Sequence, residues 1–345
     1  MIEDSMISKN APSRDPLIQR TDRGLYCPQA DVYIDPWRAV PRALITHAHA
    51  DHARPGSSQY HCASDSTGVI GSRLNTEHIV PHPYGESFQL NDIEVTFFPA
   101  GHILGSAQIR LHDGEQTWVI TGDYKRTPDP SCKAFEPVEC DVLITEATFA
   151  LPIYRWPSMD EIMPRIFRWW DANIRAKRTP VLLCYSLGKA QRVMTEIAAR
   201  SDRGVRVHGA VATLNTHYEA AGVSLCPWER AADAPKGVSQ ELVIAPPQVA
   251  GSAFLKRFGP TELAMASGWM QVRGVRRRAA INQGFVISDH ADWNELLETI
   301  YQSNAHTVYA THGETRVLTR FLNETTAIKA TRLETAFGIN QELDQ

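Results

Sequence analysis

The sequence predicts an α/β fold arranged around one site. Two observations carry this. First, six short apolar runs end abruptly in residues that bind metals or move protons. RALIT (42–46) runs into His47, EVTFFPAG (94–101) into His102, TWVITG (117–122) into Asp123, DVLIT (141–145) into Glu146, GFVISD (284–289) into His290 and HTVYAT (306–311) into His312. Their length and their Val, Ile, Phe and Tyr content are those of buried strands. In layered α/β sheets, sites collect just beyond strand ends, so six such runs argue for one site built from six loops. Second, the middle of the chain alternates in kind. MDEIMPRIFRWWDANIRAKR (159–178) and GKAQRVMTEIAAR (188–200) have helical apolar spacing, and PVLLCYS (180–186) between them reads as a strand. Helix, strand, helix marks a separate α/β unit inserted between the Glu146 and His290 runs.

The remaining elements follow in order. The first ten to fifteen residues are polar and are expected to be disordered. Pro164 falls near the start of the first helix of the inserted unit, and the Pro-rich stretch 227–247 reads as loops. The chain shows no internal repeat and no low-complexity segment. At 345 residues and 43% hydrophobic it can bury a sizeable core, in one large domain or two ordinary ones. The net charge of −4 gives no global basic signature of a nucleic-acid binder, although a groove can be locally basic on an acidic protein. Cys27, Cys62, Cys132, Cys140, Cys184 and Cys226 are scattered without a CxxC pair, as in reduced thiols of a cytoplasmic protein. The N-terminal MIEDSMISKN has no apolar h-region, and no apolar run is long enough to span a bilayer.

The densest signal is HAHADH. His47, His49, Asp51 and His52 fall within six residues, and each can hold a metal ion. One ion could use three or four of them; two ions would need ligands from elsewhere. Imidazole with carboxylate and no thiolate suits zinc and tolerates manganese or iron. His102 sits in GHILGS, where the two glycines allow close backbone approach. Asp123 follows a strand and a glycine in TGDYKR; a carboxylate placed between two cations can bridge them and keep them about 3.5–4 Å apart. His312, in THGE, would in isolation serve equally as a core histidine.

HAHADH with Asp35 upstream, GHILGS, TGDYKR, TEATF, ISDHADW and THGE resemble the ordered motifs of the metallo-β-lactamase superfamily over nearly the whole chain. Glu146, His290, His312 and the inserted unit narrow the resemblance to its β-CASP nuclease branch. VYIDPWRAVPRALITHAHADH, the following YHCAS and YSLGKAQ (185–191) are similar to the Artemis-type DNA repair nucleases. Those enzymes usually lack the last histidine. Here THGE keeps it, as in RNase J and the mRNA 3′-end processing nucleases. The mixture, with SGWM (267–270), an arginine cluster and SDHADW, most resembles the bacterial ligase-associated DNA exonucleases, which are typically encoded near an ATP-dependent DNA ligase and a helicase.

The resemblance implies a metallo-β-lactamase αββα sandwich formed by residues 1–155 and 287–345, with an α/β β-CASP domain inserted at 156–286. It implies two divalent ions, zinc first and manganese as an alternative activating metal. His47, His49 and His102 would hold one, Asp51, His52 and His312 the other, and Asp123 would bridge them. His290 would be the general acid that protonates the leaving oxygen, and Glu146 would orient it. Asp35 would fix the HxHxDH loop from behind. Asp292 would do the same for His290 or, more in keeping with its place before NELLETI, cap a helix.

Substrate contacts are expected at the arginine cluster Arg273, Arg276, Arg277 and Arg278, whose plain alternative is a solvated face. Ser186, Lys189 and Ser288 are candidates for a terminal phosphate, with Lys189 equally readable as an exposed helix residue. Trp269 reads as core before it reads as a base-stacking surface. The leading expectation is a two-metal DNA exonuclease that attacks single strands from the 5′ end in DNA repair. The runner-up is an RNA-processing β-CASP ribonuclease. A small-molecule metallo-hydrolase would need neither the inserted unit nor His290.

Overall fold

The computed structural model describes residues 16–272, 281 and 283–336. The expected disorder at the N-terminus and the arginines 273, 276, 277 and 278 lie outside those residues. Among the described residues the protein is a mixed α/β structure with three sheets.

The first sheet runs in chain order through β1 (Gln19–Arg20), β2 (Leu25–Cys27), β3 (Val32–Ile34), β4 (Arg42–Leu44), β5 (Gln59–Ala63) and β6 (Ile79–His82). Helix α1 (Thr67–Leu74) lies between the last two strands in sequence. A second sheet opens with the antiparallel run β7 (Ser87–Leu90), β8 (Ile93–Pro99), β9 (Ala107–His112) and β10 (Thr117–Ile120), then turns parallel at β11 (Val142–Glu146).

The chain then departs into the third sheet: helix α2 (Met159–Arg175), β12 (Thr179–Leu183), α3 (Lys189–Ala198), β13 (Val205–Val207), α4 (Gly209–Ala220), β14 (Trp228–Arg230), β15 (Leu242–Ala245), β16 (Thr261–Ala266) and β17 (Gln283–Phe285). This sheet is parallel throughout, in the order β14-β13-β15-β12-β16-β17. The chain returns through α5 (Trp293–Gln302), β18 (Thr307–Thr311), α6 (Thr315–Thr325) and β19 (Lys329–Arg332), and β18 joins the second sheet beside β11.

Strand alternation accounts for the layers. Ile120 and Ile144 point to a core shared with Leu25, Val32, Ile34 and Leu44, so the first two sheets face each other. Their neighbours Val119 and Leu143 point the other way, where Leu296 and Ile300 of α5 and Leu318 and Leu322 of α6 cover them. Ala43, Tyr60 and Cys62 on the far face of the first sheet pack under Val69 and Ile70 of α1. In the third sheet Leu182 and Ile244 face α2 and α3, while Val181, Leu183 and Val243 face Leu255 and Phe258. Helix α2 buries Ile162, Met163, Ile166 and Trp170 along one face, and each such side chain contributes about 1.5–3 kcal/mol. Its start is set by Ser158, whose Oγ accepts a hydrogen bond from the Glu161 N–H at 3.3 Å. Pro164 is carried inside the helix.

The stretch 227–247, expected as loops, contains two strands, β14 and β15. Its prolines at 227, 246 and 247 flank those strands, so no ladder donor is lost within them. No described helix is long and apolar enough to cross a membrane.

Candidate metal centre

The parallel strands β10, β11 and β18 lie side by side and bring three site residues to one rim. Ile120 pairs with Ile144, and Glu146, the last residue of β11, pairs with Thr311. Asp123 and His312 follow just beyond the ends of β10 and β18. The His47–His52 segment leaves β4 of the facing sheet; its Thr46 carbonyl accepts from Ala107 N at 2.8 Å, which ties it to the second sheet. His102 sits in the turn between β8 and β9, where Ser106 Oγ accepts from the His102 and Ile103 amides at 3.0 and 3.2 Å. Gly101 and Gly105 both have left-handed φ, and an added Cβ would meet the Lys125 carbonyl oxygen at 2.2 Å and Ser66 Cα at 2.3 Å. Close backbone approach is therefore required at both.

Among the described residues the candidate ligand atoms form four groups; two join His290 to His102 and Asp289 and to Asp123 and Glu146, and the other two hold the expected ligands. His47, His49, His102 and Asp123 offer atoms that all lie within 4.8 Å of one another, and so do Asp51, His52 and His312. Asp123 Oδ2 stands between the groups, 3.3 Å from His47 Nε2, 3.5 Å from His52 Nε2 and 3.8 Å from His102 Nε2. His47 Nε2 and His52 Nε2 are buried without a hydrogen-bond partner, a costly state that a cation would relieve.

The outward-facing nitrogens are held. His52 Nδ1 meets Asp35 Oδ2 at 2.7 Å, and Asp35 also accepts from the Thr46 amide (2.8 Å) and hydroxyl (2.6 Å). His47 Nδ1 meets Thr46 Oγ1 at 3.1 Å, and His312 Nδ1 meets Thr311 Oγ1 at 3.3 Å. His49 Nε2 faces the Leu187 carbonyl at 3.3 Å, and His102 Nδ1 the Asp289 carbonyl at 2.8 Å. Such partners fix the ring and the tautomer that a metal ligand needs. Asp35 and His312 both have left-handed φ, +42° and +55°.

The electrostatics suit a cation. Burial, with His290 and His49 alongside, holds His102 down at about 3. Burial also lowers His47, His49 and His312, so these four favour the neutral ligand form. Burial opposes ionisation of Asp51 and Asp123, yet the neighbouring histidines, His52 first, together outweigh it and both carboxyls sit below their usual range. His52 goes the other way. Burial would lower it, but Asp123, Asp51 and Asp35 together raise it to about 10. The His52 ring thus faces three carboxylates, which is where positive charge is needed.

Beside this cluster His290 Nδ1 contacts Glu146 Oε2 at 3.0 Å and Oε1 at 3.2 Å, and Glu146 Oε1 also accepts from Tyr124 N at 2.8 Å. The His290 and His102 rings are 4.6 Å apart. Asp292 acts as a helix cap. Its Oδ1 accepts from Asn294 N and Glu295 N, and its Oδ2 from Trp156 N. The sequence reading missed Trp156, whose indole N–H donates to the His290 carbonyl at 2.8 Å. It also missed a role for Asp289, although ISDHADW placed that residue next to His290.

The substrate candidates divide. Ser186 and His49 line a cavity of about 510 Å³ with Arg73, Tyr185, Leu214 and Gln248. Lys189 is buried, not exposed, and its Nζ lies 2.9 Å from Asp289 Oδ1. Ser288 is buried, and its Oγ accepts from the His290 amide at 3.1 Å. A charge already paired and a hydroxyl already bonded are poorly placed to hold a phosphate. Trp269 lies half-buried against Phe149, ring centres 4.8 Å apart, as a core residue would. All six cysteines are free.

No family model matches the chain. It is 32% identical over 295 residues to a probable DNA ligase of Opitutus terrae, covering 84% of this chain and 28% of that protein. It is 26% identical over 219 residues to the transcription termination factor FttA of Methanosarcina mazei, covering 52% of this chain and 33% of the relative. Over 120 residues it is 30% identical to the endoribonuclease YSH1 of Gibberella zeae, covering 34% of this chain and 14% of that one. The chain thus spans a third or less of each of these relatives. A crystal structure of a protein of unknown function from Enterococcus faecalis shares the fold, with a TM-score of 0.53 at 13% identity over 78% of this chain and 74% of that one. With the HxHxDH segment, His102, Asp123, Glu146, His290 and His312 gathered at one rim and these relatives beside it, the chain belongs to the β-CASP branch of the metallo-β-lactamase family.

Proposed function

We propose that this protein is a two-metal-dependent DNA exonuclease that hydrolyses phosphodiester bonds of single-stranded DNA from the 5′ end, in DNA repair. The observation that carries the reaction is geometric: two ligand groups meet at Asp123, with the Glu146–His290 pair beside them. The αββα sandwich of residues 1–155 and 287–345, with the β-CASP domain inserted at 156–286, is part of this reading. It is supported by the facing sheets, their outer helices and the separate parallel sheet.

His47, His49 and His102 would hold one ion and Asp51, His52 and His312 the other, with Asp123 between them. Divalent ions there, zinc or manganese by ligand type, would make a nucleophile from water near neutral pH and offset phosphoryl charge. The chain's own residues supply the rest. Asp35 and Thr46 hold the ligand rings in place. Glu146, itself fixed by the Tyr124 amide, orients His290 and supports its positive charge. His290 then delivers the proton that the leaving oxygen requires. Ser186 and the cavity beside His49 receive the strand next to the scissile bond.

DNA is favoured because the match covering most of this chain is to a protein named a probable DNA ligase. The same match supports work alongside a ligase, and the sequence resemblance extends this to a helicase. A second reading, RNA processing, is favoured by the relatives named for transcription termination and endoribonuclease activity and by the retained His312.

One assay separates them: 5′- or 3′-labelled single-stranded DNA and matched RNA, incubated with the protein and manganese or zinc. Mononucleotides released from DNA, starting at the 5′ end, are expected. Internal cuts confined to RNA would replace the first reading by the second, and no nucleolysis with either metal would end both.

A further inference from the structure

We propose that the buried Lys189–Asp289 ion pair is a positioning device that makes one half of the metal cluster, and not the other, depend on the unit built on the third sheet. The inference rests on the two-cation reading above. Lys189 opens α3, is 3% exposed and points its Nζ at Asp289 Oδ1, 2.9 Å away; Asp289 is 1% exposed. The Lys189 ammonium also lies 4.5 Å over the Tyr185 ring. One turn later on the same helix, Arg192 Nη1 donates to the Ser288 carbonyl at 2.6 Å. Helix α3 therefore grips the 288–289 turn twice, at residues three apart that share a face.

That turn reaches directly into the cluster, because the Asp289 carbonyl accepts from His102 Nδ1. The neighbouring ligand His49 is steadied from the same side, by the Leu187 carbonyl just before α3. Two of the three histidines of the first ligand group thus take their outer partners from residues 187 and 289. The second group takes none from there. His52 is held by Asp35, and His312 by its own neighbour Thr311. His47, the third histidine of the first group, is likewise held by Thr46.

The asymmetry has a physical consequence. A buried ion pair whose partner is removed leaves an uncompensated charge in a low-dielectric setting, and the local backbone moves to solvate it. Here the backbone that would move carries the carbonyl behind His102. Loss of such an outer partner weakens metal binding about 10–100-fold. The Lys189 ammonium is spent inside the protein, so its effect reaches substrate only through ligand geometry.

The test uses the full chain and zinc alone, titrated against a chromophoric chelator to resolve two dissociation constants, with the visible band of cobalt-substituted protein as a second readout. Lys189→Met and Asp289→Asn are each expected to weaken one ion about 10–100-fold, leave the other unchanged and shift part of the cobalt spectrum. Lys189→Met/Asp289→Asn, which leaves no orphan charge, should recover much of the loss. Asp35→Asn should weaken the other ion. Asp289→Asn, nearly isosteric, carries the test if Lys189→Met does not fold.

Two unchanged constants in both single variants, or an equal loss at both sites, would overturn the inference while leaving the two-cation reading intact. A wild-type protein that binds fewer than two zinc ions would remove that reading and this inference with it.

Discussion

At the scale of single residues, His290 and the ligand histidines do different work and should separate under mutation. His290 Nδ1 is engaged by Glu146, and its ring stands beside His102, outside the two groups that hold the expected ligands. His290→Ala is therefore expected to keep both ions while cleavage falls about 10²–10⁴-fold, the usual worth of a positioned acid. Metal content by mass spectrometry and single-turnover rates check it; a variant that cleaves at the normal rate would remove His290 from the reaction. The ligand histidines were legible in the sequence because imidazole and carboxylate at strand ends are a residue-type signal. Their outer partners were not. The Leu187 and Asp289 carbonyls act through the backbone, which every residue carries, and the fold alone brings them near.

At the scale of elements, the helix behind the acid depends on its cap. Asp292 accepts from Asn294 N at 2.9 Å and Glu295 N at 3.0 Å, and Glu295 Oε2 accepts from Asp292 N at 3.1 Å, a reciprocal capping box. Asp292→Ala should cost about 1 kcal/mol, read as a lower denaturant midpoint at unchanged slope. An unaltered midpoint would show that the cap is dispensable. The strands that end in ligands were legible from their apolar runs, and all six runs correspond to strands or strand ends, although these belong to three different sheets. Trp228–Arg230 and Leu242–Ala245 were not legible. They are three and four residues long, sit among prolines and glycines, and owe their pairing to parallel neighbours far away in sequence.

At the scale of the molecule, alkaline pH should undo the fold earlier than its acidic composition suggests. Burial pushes Cys62 up to about 11 and Cys140, Cys184 and Cys226 up to about 12, from an ordinary value near 9. Below pH 9 both folded and unfolded chains keep these protons, and the neutral thiols impose no pH dependence. Between 9 and 12 the unfolded chain releases protons that the folded chain retains, so stability falls as pH rises, by about 1.4 kcal/mol per pH unit for each thiol. Melting temperatures measured from pH 8 to about 10.5 should decline, and Cys184→Ala should flatten the decline relative to wild type. A flat profile across that range would show that the thiols ionise freely in the fold.

The left-handed backbone at Asp35 and His312 has a consequence for how this protein trades robustness against chemistry. Both residues border the second ligand group, and each non-glycine residue in that conformation costs of order 1–3 kcal/mol. Asparagine adopts the conformation more readily than most residues. His312→Asn should therefore reverse a ranking: under chelation it should melt at or above the wild type, and with zinc below it. Parallel melting scans with and without chelator would show the two curves changing places, a compromise in which the fold tolerates a stiff corner because a ligand stands on it.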